Sequence, residues 1–169
     1  LTGPRSRELL GRLAPGLDVA NDAFPFMTWR DATVAGIAAR VYRISFSGEL
    51  AYEVNVAGPH GAALWDAAMA AGADLGITPY GTEAMHVLRA EKGYPIIGQE
   101  TDGSVSPEDL GMGRLIARRK WCIGSRSWRR ADLVRTDRKQ PVGLLPTDPE
   151  ALLPEGAQLG NAPDLAPPM

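Results

Sequence analysis

Cysteine, histidine and aromatic side chains are scarce in this chain. A single cysteine among 169 residues, Cys122, cannot close an internal disulfide, and its rarity suits a reducing compartment. Two histidines, His60 and His86, together with that one thiol make a closed zinc site improbable, so no metal is expected. Twenty acidic side chains face eighteen basic ones, and the net charge of -2 gives no general electrostatic reason to bind nucleic acid. No apolar run reaches the about 18 residues of a membrane span before charge, Gly or Pro interrupts it. The opening Leu1-Thr2-Gly3-Pro4 has no basic region and no apolar stretch, so a signal peptide is not expected. These absences predict a soluble, cytoplasmic chain, and the abrupt helix-entry start reads as a piece of something longer.

What is present is ordinary globular material. An apolar share of 44% with 22% charged residues excludes collagen-like and wholly disordered chains. Leu9, Leu10 and Leu13 fall at helical spacing after Gly3-Pro4 and predict a short helix with Pro at its first position. From Ala32 the period changes to two. Tyr42, Ile44 and Phe46 alternate with Arg43 and Ser45. After Ser47-Gly48-Glu49-Leu50, Tyr52, Val54 and Val56 alternate with Glu53 and Asn55. Two such runs around a Gly-containing loop predict a β-hairpin. Gly58-Pro59 announces a helix over 61–73 with Leu64, Trp65, Ala68 and Met69 on one face. A second helix is expected from Glu83 to Lys92, capped by Thr82 and stopped by Gly93. Helices and hairpins without a strict alternation indicate an α+β fold. The composition shifts near residue 105, beyond which a basic stretch, a brief strand candidate over Gln140–Leu145 and a Pro-punctuated tail follow.

Most standard motifs are missing. Gly111-Met112-Gly113 lacks the third glycine and the preceding strand of a dinucleotide fingerprint. Cys122 has three cations just before it but no paired histidine nearby, so an inert thiol is the plainer reading. Trp121 and Trp128 interleave with arginines, which permits an RNA-binding reading. The slight net acidity favours a solvated face or an inter-subunit contact. Two clusters remain. The loop Ser47-Gly48-Glu49 lifts a carboxylate off a strand pair, and the second helix carries His86, Arg89 and Gly93 along one side. A carboxylate's two coplanar acceptors suit a heterocycle edge with adjacent N–H and NH2 donors, or an arginine. On spacing alone, a plain Glu49–Arg89 salt bridge competes with a polar pocket, and no complete catalytic set is present.

At these same segments the chain resembles a known family. Arg43-Ile44-Ser45-Phe46-Ser47-Gly48-Glu49-Leu50-Ala51-Tyr52-Glu53 resembles the hairpin of folate-dependent aminomethyltransferases, the glycine cleavage T-protein and its relatives. Gly76 to Tyr94, then Gly98-Gln99-Glu100-Thr101-Asp102-Gly103, is similar to the C-terminal aminomethyltransferase-like region of the α subunit of heterotetrameric sarcosine oxidases. Asp137 to Leu145 and Leu153 to Leu159 continue the likeness, which covers nearly the whole chain. The resemblance implies that residues 1–105 form the C-terminal half of a folate-binding domain. Residues 106–169 would then be a linker and an incomplete, β-rich, barrel-like segment. It further implies tetrahydrofolate as ligand, with Glu49 on the pterin edge, Arg89 lining the pocket, and Tyr80 and Tyr94 as further candidates. The one-carbon unit from sarcosine would be captured as 5,10-methylenetetrahydrofolate. FMN and NAD would belong to the complete complex, and the partners would be its other subunits. The family's catalytic aspartate falls before position 1, so no catalytic residue is assigned and the piece alone is expected to be inactive. Arg114 stands where relatives carry tryptophan, and Cys122-Ile123-Gly124-Ser125-Arg126-Ser127-Trp128 replaces Phe-Ile-Gly-Lys-Arg-Ser-Leu. Two further readings follow: a T-protein-type aminomethyltransferase, and a degenerate non-catalytic binding or assembly module.

Overall fold

A computed structural model describes residues 1–153; the motif running on from Pro154 and the Pro-rich end lie outside the described residues. The chain divides into two compact units, Leu1–Ser104 and a second from Val105 onward. The first unit holds three helices and one antiparallel three-stranded sheet, an α+β architecture as expected.

Helix α1 spans Ser6–Leu13 and buries Leu9, Leu10 and Leu13, the stripe its leucine spacing predicts. It starts after Arg5, so Pro4 lies in the turn ahead of it and not at its first position. On its solvent side, Glu8 bridges Arg5 and Arg12, and Arg12 reaches Asp74 at 2.6 Å. Exposed pairs of this kind are screened by solvent and contribute little. The buried leucines contribute more, about 1.5–3 kcal/mol apiece.

Strand β1, Thr28–Val34, was not expected from the sequence. It pairs with β2, Ile37–Arg43, across the two-residue turn Ala35-Gly36, where both residues take positive φ, 50° and 79°. Such a turn usually carries Asn-Gly or Asp-Gly, so alanine in its first position conceals it. Strand β3, Glu53–Val56, pairs antiparallel with β2, which completes the predicted hairpin. The alternation left the inward face of β2 open, and the structure turns its odd-numbered residues inward. Val41 opposes Val54 and Ala39 opposes Val56, so Ala39 and Val41 are buried while Tyr42 lies opposite exposed Glu53. A period of two permits only one face inward, and the register with β3 selects the odd-numbered residues. Phe46, grouped with Tyr42 and Ile44 by the alternation, is half exposed and lies beyond the strand, which has already ended at Arg43.

The core gathers Leu10, Phe24, Val34, Val41 and Tyr52, with the Phe24 and Tyr52 rings 5.8 Å apart. The long loop before β1 is held by Asn21, whose side-chain oxygen accepts from Arg7 at 2.6 Å and Arg43 at 2.9 Å. Helix α2, Gly61–Gly72, packs Leu64, Ala67, Ala68 and Ala71 towards this core. Trp65, expected on the inward face, points outward. A helix with alanine on most sides has no sharp polar face, and the small-residue stripe lets it approach more closely. Helix α3, Thr82–Glu91, begins one residue earlier than expected: Gly81 is its N-cap, and Thr82 makes no capping bond.

The second unit differs from the β-rich expectation. Among the described residues it contains short 3-10 turns, Gly113–Leu115 and Ile123–Arg129, and no strand. Gln140–Leu145 is irregular, with Val142, Leu144 and Leu145 exposed. Pro141 cannot donate to a ladder, and no neighbouring strand is present among the described residues to accept one.

Candidate functional site

The loop over 44–52 leaves β2 and returns to β3 as the outermost feature of the hairpin. Backbone bonds anchor its far side, Gly3 N–H to Leu50 O and Tyr52 N–H to Leu1 O, at 2.9 and 2.8 Å. Buried Ser47 adds a hydroxyl contact of 3.2 Å to Thr2. At the tip, Gly48 has φ +77°, and a Cβ built there would lie 2.7 Å from Lys92 Cβ and 3.3 Å from the Tyr94 ring. Only glycine tolerates both the left-handed backbone and the approach, so the loop rests directly on the end of α3.

That seat brings Glu49 to Lys92, with Oε1 2.9 Å from Nζ. Both side chains keep partial access to solvent, 33% and 46% respectively, so the carboxylate is fixed yet reachable. The Glu49 contact holds the Lys92 ammonium protonated above the usual lysine range.

Arg89, one turn earlier on α3, is buried and faces the following loop. Its guanidinium meets Glu100 at 2.6 Å, donates to the Tyr94 carbonyl at 3.2 Å and reaches the Gln99 side-chain oxygen at 3.5 Å. Its Nε–H is buried with no hydrogen-bond partner among the described residues. Desolvation opposes ionisation of Glu100, but the Ile96 amide at 2.6 Å and Arg89 outweigh it and keep that carboxyl below its ordinary value. The helix end is closed by Gly93 N–H to Ala90 O and Tyr94 N–H to Arg89 O, both 2.9 Å.

The structure therefore brings Glu49, Lys92 and Tyr94 together and places Arg89 as the anchor of the loop carrying Tyr94. A direct Glu49–Arg89 salt bridge does not form, since each has taken another partner. Tyr80 is half exposed ahead of α3 and makes no hydrogen bond to the group. Lys92 and Glu100 escaped the sequence reading. Lys92 was accessible to it, lying at i+3 from Arg89, whereas Glu100 reaches Arg89 only through loop closure. Cys122 is exposed in the second unit. A cavity of about 530 Å³ in the first unit lies between Asp31, Arg40, Tyr42 and Asn55, none of which belongs to the cluster.

A carboxylate steadied by an ammonium, at a loop tip seated against the Tyr94 ring, can accept paired donors from a flat polar ligand.

Comparison with known proteins places the chain in a family. The profile of the GCVT N-terminal domain matches residues 1–120. The sarcosine oxidase subunit alpha of Corynebacterium sp. (strain P-1) is 53% identical over 160 residues, covering 94% of this chain and 16% of the relative. The protein of the same name from Rhizobium meliloti (strain 1021) is 38% identical over 162 residues, again 94% and 16%. An aminomethyltransferase of Chlorobaculum parvum is 39% identical over 125 residues, covering 73% of the chain and 31% of the relative. The chain thus spans 16% of the length of those two oxidase subunits. A profile match over 120 of 169 residues, joined to identities of this size, shows that the chain belongs to the GCVT N-terminal domain family.

Proposed function

We propose that residues 1–104 form part of a tetrahydrofolate-binding site in a sarcosine-oxidase-type α subunit. The supporting observation is the fixed, reachable Glu49 carboxylate on Lys92, at a loop tip seated against Tyr94. Two coplanar acceptors match the adjacent N–H and NH2 donors of a reduced pterin. Arg89 contributes by holding the loop over 94–100, and Tyr94 supplies a ring wall; Tyr80 is a more distant candidate at the entry to α3. When bound, tetrahydrofolate supplies two amine nitrogens that take up a one-carbon unit at the formaldehyde level, with loss of water, as 5,10-methylenetetrahydrofolate. This chain's residues bind and orient. Oxidative demethylation of sarcosine, with FMN and NAD, belongs to the rest of the complex and its other subunits.

The test uses the complete complex, titrated with tetrahydrofolate and followed by thermal protection. Losing a charge-assisted contact of this kind costs about 1.5–3 kcal/mol, so Glu49→Ala should weaken binding by about ten- to hundredfold and abolish the protection. Glu49→Gln, which keeps one acceptor, should fall between. Unaltered affinity in both variants overturns the role of Glu49.

A further inference from the structure

The second unit carries a surface that the folate reading does not use. Between Leu110 and Ala131 the chain has seven cations, Arg114 through Arg130, and no acidic residue. Within that stretch Arg118, Ser125, Arg126, Trp128 and Arg129 line a cavity of about 630 Å³. Arg118 is steadied from two sides, by Glu108 and by the Trp128 ring, whose centroid is 5.9 Å from the guanidinium. Arg130 is satisfied by Asp132 at 2.9 Å. Arg126 and Arg129 have no acidic partner among the described residues. Nearby, Trp121 is 81% and Ile123 90% exposed to solvent.

Large apolar side chains standing free beside unpaired guanidinium groups are costly to leave in water and typical of protein-contact centres, where Trp and Arg dominate the binding energy. We propose that this face docks an acidic protein surface, with carboxylates entering the cavity against Arg126 and Arg129 and an apolar rim closing over Trp121 and Ile123. The distribution of charge within the second unit decides against a nucleic-acid partner. The basic unit is subdivided: Arg118, Arg130, Arg135 and Arg138 are each already matched to a carboxylate. Two open guanidinium groups in one recess suit a pair of carboxylates better than a continuous phosphate track. The partner fits the multi-subunit reading given above, yet the argument does not depend on folate.

The experiment takes the complete protein co-expressed with the other subunits of its complex and measures subunit dissociation in a salt series. Arg126→Glu with Arg129→Glu should raise the dissociation constant about tenfold or more and flatten its salt dependence. The Arg→Lys pair should be weakened less, and Trp121→Ala should weaken assembly without changing the salt slope. Tetrahydrofolate binding, unchanged in the reversed variant, verifies that the protein is folded and separates this outcome from failure of the Glu49 assignment. Poly-L-glutamate and poly(U) serve as competing probes. Assembly unaffected by charge reversal overturns the proposal. So does a poly(U) affinity that exceeds that for poly-L-glutamate and vanishes in the reversed variant.

Discussion

At the scale of single residues, the position of Glu49 is set by its neighbours on both sides. Gly48 provides the backbone and the clearance, and Lys92 provides the counter-charge. These two contributions can be separated. Gly48→Ala forces a Cβ against a Cβ at 2.7 Å in a left-handed conformation, which should cost about 1–3 kcal/mol in urea denaturation and lift the loop off α3. Lys92→Met keeps the aliphatic stem under the loop and removes only the charge. An exposed pair is worth about 0–1 kcal/mol, so stability should hardly move while tetrahydrofolate affinity falls. If both variants lose stability equally, the ion pair is a packing contact only. Glu49 was legible because a carboxylate between two strand-like runs is conspicuous. Lys92 lay in view at i+3 from Arg89, but its pairing with Glu49, like that of Arg89 with Glu100, depends on loop closure and leaves no periodic trace in the sequence.

At the scale of elements, propensity and pattern carried the helices and the existence of the hairpin, while register carried the rest. The alternation from Val41 onward announces a strand but cannot say which parity faces inward. That choice follows from Val41 meeting Val54, a tertiary fact. Strand β1 was hidden by its Ala35-Gly36 turn, whose first position contains none of the usual turn residues. In the core these elements share, Leu10 is fully buried beneath α1, and Leu10→Ala should cost about 2–5 kcal/mol in chemical denaturation. Tyr52 behaves differently. Its hydroxyl is buried without a hydrogen-bond partner among the described residues, so Tyr52→Phe should be neutral or stabilising when measured in the complete protein. A loss above about 1 kcal/mol would show that the hydroxyl has a partner supplied from outside this chain.

At the scale of the whole molecule, the two units differ in how they are held. The first rests on a shared apolar core, the second on turns and ion pairs. This difference explains why the second was poorly legible: a segment with few buried apolar residues offers no period to read. Its most buried pair joins Asp109 to Arg138, at 2.7 and 2.5 Å. Arg138, with the Ser106 amide and hydroxyl and against the effect of burial, holds the Asp109 carboxyl far below the ordinary range. A depressed native value means that the stabilisation is complete above the unfolded aspartate value, near pH 4, and is lost as the pH falls below it. Protection factors of the amides around 105–109, with intrinsic exchange rates divided out, should therefore fall on acidification below about pH 4, and Asp109→Asn should show low protection at every pH. The first unit carries a different kind of reporter. Glu49 is braced by Lys92 at the point where α3 unwinds, so fraying of that last turn and release of the carboxylate are one local opening. Occupancy of the loop tip by any ligand then becomes visible at two amides that never touch it, those of Gly93 and Tyr94.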